Sequence, residues 1–280
     1  MTLDDLPPLR DSLAAHDLAA KKAFGQHFLL DLNVTRKIAR LAGPLDGRVV
    51  IEVGPGPGGL TRALLEAGAR VIAVEKDRRF IPLLEELAQA ADGALSVVEA
   101  DALAVDEAAL LVALAPGLEC RIVSNLPYNV GTALLIKWLT GAFRPGGMTL
   151  MFQKEVAQRI AADVGTDAYG RLSVIAQALC KVELVMELPA RAFTPPPKVA
   201  SAVVRLAPLA DRPADALVQA LETVTAAAFG QRRKMLRSSL RALGGEALCG
   251  RAGVSADNRA EVVPVAGFLA LAQTLLDAPH

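Results

Sequence analysis

Three short stretches hold residues that could bind and activate small molecules. Residues 52–61 read E-V-G-P-G-P-G-G-L-T, and two acids, Glu75 and Asp101, follow at intervals. Gly54, Gly56 and Gly59 satisfy G-x-G-x-x-G, a pattern in which the backbone turns tightly and approaches a ligand closely. Glu75 follows Gly54 by 21 residues, where an acid can accept from both hydroxyls of a ribose. A dinucleotide and S-adenosylmethionine both fit this much. Glu52 separates them. A pyrophosphate would be repelled by a carboxylate two residues before the first glycine, whereas the cationic amino-acid end of S-adenosylmethionine would be attracted. Asp101 is placed to accept from an adenine amino group. An NAD-dependent oxidoreductase explains the glycines and Glu75 but leaves Asp101 idle.

The third stretch, S-N-L-P-Y-N at 124–129, ends an apolar run, Arg121-Ile122-Val123. The exocyclic amine of adenine is a poor nucleophile because its lone pair is delocalised into the ring. Two acceptors holding its two hydrogens would pull the nitrogen toward tetrahedral geometry. The side-chain oxygen of Asn125 and the backbone carbonyl of Leu126 are the candidates. Pro127 has no N–H and a fixed φ, which keeps that carbonyl aimed. Tyr128 supplies a flat face on which a flipped-out base can stack. Turn chemistry alone accounts for Asn125 and Pro127 but not for the ring. No strong general base is required, because a sulfonium is already a good electrophile and alignment is the main contribution.

These residues can meet only if the elements carrying them share an edge. Apolar, β-branched runs recur at Val49–Val53, Arg70–Glu75, Leu95–Glu99, Arg121–Ser124 and Met148–Phe152. Helical spacing separates them, as at Leu60–Glu66 and Phe80–Ala91. Strand and helix in alternation predict an α/β fold, Rossmann-like, around a mostly parallel sheet. Lys181–Leu188 and Ala200–Leu206 alternate apolar and polar residues like an antiparallel edge pair. In such sheets ligands bind beyond the carboxyl ends of the strands. The expected division is a catalytic domain over 1–206, with a helical lead-in over 1–46, a linker at 207–213 and a small all-α domain over 214–280.

Composition narrows the class. Basic and acidic residues number 30 each, so overall charge does not point to a nucleic-acid partner. The distribution is uneven, however: residues 229–241, F-G-Q-R-R-K-M-L-R-S-S-L-R, hold five bases and no acid. Arg233, Arg237 and Arg241 would share one helical face, beside an apolar stripe of Leu236, Leu240 and Leu243. Cys120, Cys180 and Cys249 are widely spaced with no C-x-x-C pair, so neither a metal site nor a disulfide framework is expected. The acidic, proline-broken N-terminus argues against a secretory signal, and no apolar stretch reaches the length of a membrane span. A cytoplasmic protein is expected.

The order of several motifs resembles the ribosomal RNA adenine dimethyltransferases, in the branch that modifies small-subunit (16S) RNA. The resemblance rests on K-K-A-F-G-Q-H-F-L at 21–29, the glycine loop, N-L-P-Y-N at 125–129 and F-Q-K-E-V-A at 152–157. It continues through Y-G-R-L-S at 169–173, F-T-P-P-P-K-V-A-S-A-V-V-R-L at 193–206 and R-R-K-M-L-R-S-S-L at 232–240. It implies S-adenosylmethionine as cofactor, contacted by His27, Leu29, Gly54, Gly56, Glu75, Asp101 and Asn125. Family members often carry Asn where this chain has His27. A backbone contact survives that change. The resemblance further implies that Phe193 covers the target base opposite Tyr128, and that Lys198 touches phosphate. Arg232, Arg233, Lys234 and Arg237 would meet RNA. The implied substrate is 16S rRNA in a small-subunit (30S) precursor, with two adjacent adenosines of a hairpin near its 3′ end each dimethylated; apart from the resemblance, a monomer is expected. The alternatives are an adenine methyltransferase of large-subunit RNA and a non-catalytic ribosome assembly factor.

Overall fold

A computed structural model describes residues 2–20 and 26–278. Lys21–Gly25, the first part of the K-K-A-F-G-Q-H-F-L motif, lie outside the described residues. The chain opens with α1 (Leu9–Ala15), a two-residue strand β1 (Phe28–Leu29) and α2 (Leu32–Leu41). Asp31 starts α2 by accepting from the Asn33 N–H at 2.9 Å. The expected alternation follows: β2 (Val49–Val53), α3 (Gly59–Glu66), β3 (Arg70–Glu75), α4 (Ile81–Ala90), β4 (Leu95–Glu99), α5 (Glu107–Leu114), β5 (Cys120–Asn125), α6 (Gly131–Thr140) and β6 (Met148–Gln153). Every residue of β2 is buried, as expected of a central strand written as a continuous apolar run. After α7 (Lys154–Ile160) and α8 (Arg171–Leu179) come β7 (Cys180–Leu188), β8 (Phe193–Thr194) and β9 (Ser201–Pro208).

Seven strands form one sheet in the order β4-β3-β2-β5-β6-β9-β7. The pairs β2–β3, β3–β4, β2–β5 and β5–β6 are parallel. The chain moves outward from β2 to β4 and then restarts at β5 on the other side of β2. That reversal leaves a crevice beyond the carboxyl ends of β2 and β5, the usual ligand position in open α/β sheets. The register Ile51↔Ile122 brings both ends to one level. Buried Ser124 pins them together, its Oγ donating to Val53 O at 2.6 Å. Apart from the sheet, β1 and β8 form an antiparallel ribbon, with Leu29 opposite Phe193.

The chain divides into two compact units. The first holds the residues up to 157 together with 184–205, and the second holds 158–183 with the residues from 206 on. This differs from the expected single cut at 207–213. Helix α8 belongs with the C-terminal helices because it packs on α9 (Asp215–Gly230) and α12 (Val265–Leu276). Ala207 and Pro208, read as linker, are the last residues of β9.

In the second unit α9 and α12 bury Leu221, Val224, Phe268 and Leu271. The Phe229 ring lies 6.2 Å from that of Tyr169 and 5.4 Å from that of Phe268. Tyr169 Oη donates to Val263 O at 3.0 Å. Ser173 Oγ accepts from the Gly170 N–H at 3.0 Å and donates to Arg159 O at 2.5 Å. The Y-G-R-L-S motif therefore builds the start of α8. The expected helical face of Arg233, Arg237 and Arg241 does not form. Helix α9 stops at Gly230, and only α10 (Leu236–Ser239) is helical before a 3-10 turn at Arg241–Leu243. The Leu236 and Arg237 N–H groups donate to Asn258 O and Ala256 O, tertiary bonds incompatible with a continuous helix. Helix α11 (Gly245–Arg251) completes the unit. None of the described helices is long and apolar enough to cross a membrane.

Candidate active site

The crevice of the first unit is a cavity lined by the glycine loop, the ends of β3, β4 and β5, and residues 26–29. It brings together His27, Leu29, Gly54, Gly56, Glu75, Asp101, Asn125, Leu126, Pro127 and Tyr128. The loop is held tightly against its surroundings. Gly54 has φ +66°, and a Cβ there would lie 3.1 Å from Pro127 Cγ. At Gly59 a Cβ would sit 2.5 Å from the Leu29 carbonyl oxygen. Only glycine allows both approaches. Pro127 thus has a second role that its fixed φ did not disclose, as the wall on which the glycine loop rests.

Three carboxyl groups line the cavity in different environments. Glu75 Oε2 accepts from the Gly56 N–H at 3.0 Å and Oε1 from the Asp77 N–H at 2.8 Å. Burial raises its pKa, opposed by those backbone hydrogen bonds. Each oxygen keeps a second lone pair for a ligand hydroxyl. Glu52 is 2% exposed and accepts from Thr61 Oγ1 at 2.7 Å. Burial pushes it up to about 8, the Thr61 bond opposes this, and Glu75 adds repulsion. Glu52 is therefore mostly a neutral acid at pH 7. Asp101 differs. Its bonds to Lys76 Nζ at 2.7 Å and the Leu103 N–H at 3.0 Å hold it below the ordinary carboxylate range.

Asn125 Nδ2 donates to His27 O at 3.3 Å. A carbonyl can only accept, so this bond assigns the amide orientation and leaves Oδ1 as the acceptor of Asn125, a residue of the cavity lining. His27 Nδ1 donates to Pro195 O at 2.8 Å, and its ring lies 5.6 Å from that of Tyr128, tilted by 31°. Tyr128 Oη shares a 2.5 Å hydrogen bond with Ser201 Oγ, and burial raises its pKa. The tyrosine plane is thus fixed from both ends.

Phe193 stands apart from the other expected site residues. It is 3% exposed, lies outside the cavity lining, and packs in the core with Leu29, Met151 and Val203. In the β1–β8 ribbon it lies opposite Leu29. Sequence reading also passed over several partners: Thr61 for Glu52, Ser124 for the glycine loop, Ser201 for Tyr128. A further network joins Gln26 Nε2, Asp77 and Arg79, with Gln26–Asp77 at 2.9 Å and Arg79–Asp77 at 2.6 Å. Burial raises the Asp77 pKa, but the Arg79 and Gln26 hydrogen bonds outweigh it and leave Asp77 below its usual value. Thr61 and Ser201 stand inside the quoted motifs, the only local signal they carry.

Residues 18–277 match the model of the family described as Ribosomal RNA adenine dimethylase. The chain belongs to that family. The Ribosomal RNA small subunit methyltransferase A of Phenylobacterium zucineum is 69% identical over 276 residues, covering 99% of this chain and 95% of the relative. That of Caulobacter vibrioides is 70% identical over 257 residues, covering 92% and 98%. Among solved structures, a dimethyladenosine transferase from Plasmodium falciparum superposes with a TM-score of 0.72 at 25% identity, over 88% of this chain and 96% of the other. The 23S rRNA methyltransferase ErmE gives 0.68 at 28% identity, over 89% and 100%. The protein is an adenine dimethyltransferase of ribosomal RNA, and its methyl donor is S-adenosylmethionine.

The cavity suits that donor. Its glycine loop leaves no room for side chains where a ligand's backbone contacts would fall. A buried, proton-holding acid stands beside it, ready to ionise opposite a cation.

The residues expected to meet RNA are all exposed: Lys198 in the first unit, and Arg232, Arg233, Lys234 and Arg237 in the second. They are not equivalent. Arg232 bonds Glu261 at 3.2 Å and Asp167 O at 2.6 Å, and Arg237 bonds Asp257 at 2.5 Å. Arg233, Lys234 and Lys198 form no ion pair among the described residues.

Proposed function

We propose that this adenine dimethyltransferase acts on small-subunit ribosomal RNA, methylating N6 of two adjacent adenosines in a hairpin near its 3′ end, each of them twice. The curated relatives named as small-subunit methyltransferases support the choice of subunit. The substrate is the 16S RNA of an assembling 30S particle, and the enzyme works as a cytoplasmic monomer. Exposed Lys198 in the first unit, and exposed Arg233 and Lys234 in the second, each hold phosphate and offset the zero net charge locally.

The observation that carries the chemical reading is the bond from Asn125 Nδ2 to His27 O, which leaves Oδ1 as an acceptor on a residue that lines the same cavity as the glycine loop. S-adenosylmethionine supplies an activated methyl group on a sulfonium. The protein's own residues do the rest. Glu75 takes the ribose hydroxyls and Asp101 the adenine amino group of the donor. Ionised Glu52 complements its cationic amino-acid end. Asn125 Oδ1 and Leu126 O accept the two hydrogens of the target amine, and Tyr128 carries the flipped base on its fixed ring. His27 contributes through its backbone carbonyl and by bracing Tyr128.

The test is single-turnover mass spectrometry of unmethylated small subunits with labelled S-adenosylmethionine. Two adjacent dimethyladenosines near the 3′ end are expected. Asn125→Ala should lower the first transfer by at least ~100-fold, the scale of losing one preorganised hydrogen-bonding group. Near-normal monomethyladenosine from that variant would refute the clamp. Label in large-subunit RNA instead would refute the substrate.

A further inference from the structure

Lys137 is the single charge in an otherwise apolar helical run, A-L-L-I-K-W-L. Such a lysine commonly lays its stem along the surface and holds its head in water. Here the head is committed. Nζ donates to Ala102 O at 2.9 Å, Val105 O at 2.5 Å and Glu107 Oε1 at 2.9 Å, which uses all three of its N–H groups. Glu107 is 3% exposed and also accepts from Trp138 Nε1 at 2.6 Å. Neutralising Glu107 would require only one of the three lysine bonds. The two carbonyl bonds serve the loop between β4 and α5.

At the start of that loop Ala100, Asp101 and Ala102 line the cavity. The helix bearing Lys137 grows out of the opposite rim: Val130 and Gly131 N–H donate to Pro127 O at 3.1 and 3.0 Å. One ammonium therefore joins the strand-four loop to the helix that follows Asn125–Tyr128.

We propose that Lys137 is a positioning residue for donor binding: it locks the Ala102–Val105 loop to α6 and thereby holds the Asp101 carboxylate where it meets the donor's adenine amine. This rests on the reading of Asp101 as the acceptor for that amine. Glu107 is the counter-charge that fixes the lysine head, and Trp138 fixes Glu107.

The test uses calorimetric binding of S-adenosylhomocysteine and of its analogue with hydrogen in place of the adenine amine. Wild type should prefer the amine by roughly 10- to 100-fold, the scale of a hydrogen bond to a charged group. Lys137→Met alone leaves Glu107 buried without a cation and loses stability. The working variant is therefore Lys137→Met with Glu107→Gln, which keeps an acceptor for Trp138. It should fold, bind S-adenosylhomocysteine about tenfold more weakly, and bind the amine-less analogue as wild type does. Lys137→Arg should restore part of the preference. Asp101→Ala is the reference. If it abolishes the preference while the double variant keeps it, the role of Lys137 is overturned and the reading of Asp101 stands. If Asp101→Ala keeps the preference, the reading of Asp101 fails and the inference falls with it. A uniform weakening of both ligands in the double variant would mean a purely structural lysine and would also overturn the proposal.

Discussion

Donor affinity should depend on pH through Glu52. The free protein holds this acid at a pKa of about 8, chiefly because burial disfavours its charge. A cationic ligand end beside it favours the ionised form, so binding expels a proton. Ionising Glu52 costs about 1.4 kcal/mol for each pH unit below 8, a factor of about ten in affinity. Relative to its limit at high pH, binding should be about twofold weaker at pH 8, about tenfold at pH 7 and about a hundredfold at pH 6. Calorimetry of S-adenosylhomocysteine across this range, in buffers of differing ionisation enthalpy, reads both the slope and the released proton. Glu52→Gln should bind weakly at every pH and keep only the ligand's own titration. Stability gives a second reading with a fixed sign. An acid with a raised folded pKa contributes stability below its unfolded value of about 4.5 and loses it as pH rises through about 8. Glu52→Gln should therefore stabilise the protein at pH 7 by up to about 3 kcal/mol and leave it unchanged at pH 4. Parallel affinity profiles for wild type and Glu52→Gln would refute a proton held by Glu52 and released on binding.

Gly54→Ala forces a left-handed backbone on alanine, at about 1–2 kcal/mol, and drives its methyl toward Pro127. Thermal unfolding should show that loss, and calorimetry a weaker donor. Phe193→Ala should cost about 3–5 kcal/mol of stability by emptying a core site, while the folded fraction, measured at low temperature, keeps its methylation rate. A stable variant with abolished transfer would instead support a base-stacking role. Removing Arg233 and Lys234 together should flatten the salt dependence of RNA binding by a log–log slope between about one and two, judged by filter binding. Removing Arg237, already paired with Asp257, should change it less.

Some of this protein is written locally. The five parallel strands follow from β-branched runs, most plainly β2, because a strand buried in a parallel sheet needs apolar residues throughout. The ligand edge follows from the glycines, because positive φ and close approach belong to glycine almost alone. Asn125, Tyr128, Glu75 and Asp101 were legible because each directly follows or ends a strand, and strand order decides which ends meet. What the local pattern could not state was set by contacts distant in sequence. Phe193 and Tyr128 are both aromatics beside prolines, yet ribbon register buries one and a bond to Ser201 holds the other at the cavity. The basic stretch has helical spacing, but backbone bonds to residues 256–258 break it into turns, and acidic side chains pair off Arg232 and Arg237. Lys137 looks like a surface lysine until its three acceptors, all 30 or more residues away, are seen. Periodicity reports which face of an element is apolar. Hydrogen bonds between elements depend on how those faces assemble, and only the folded chain decides them.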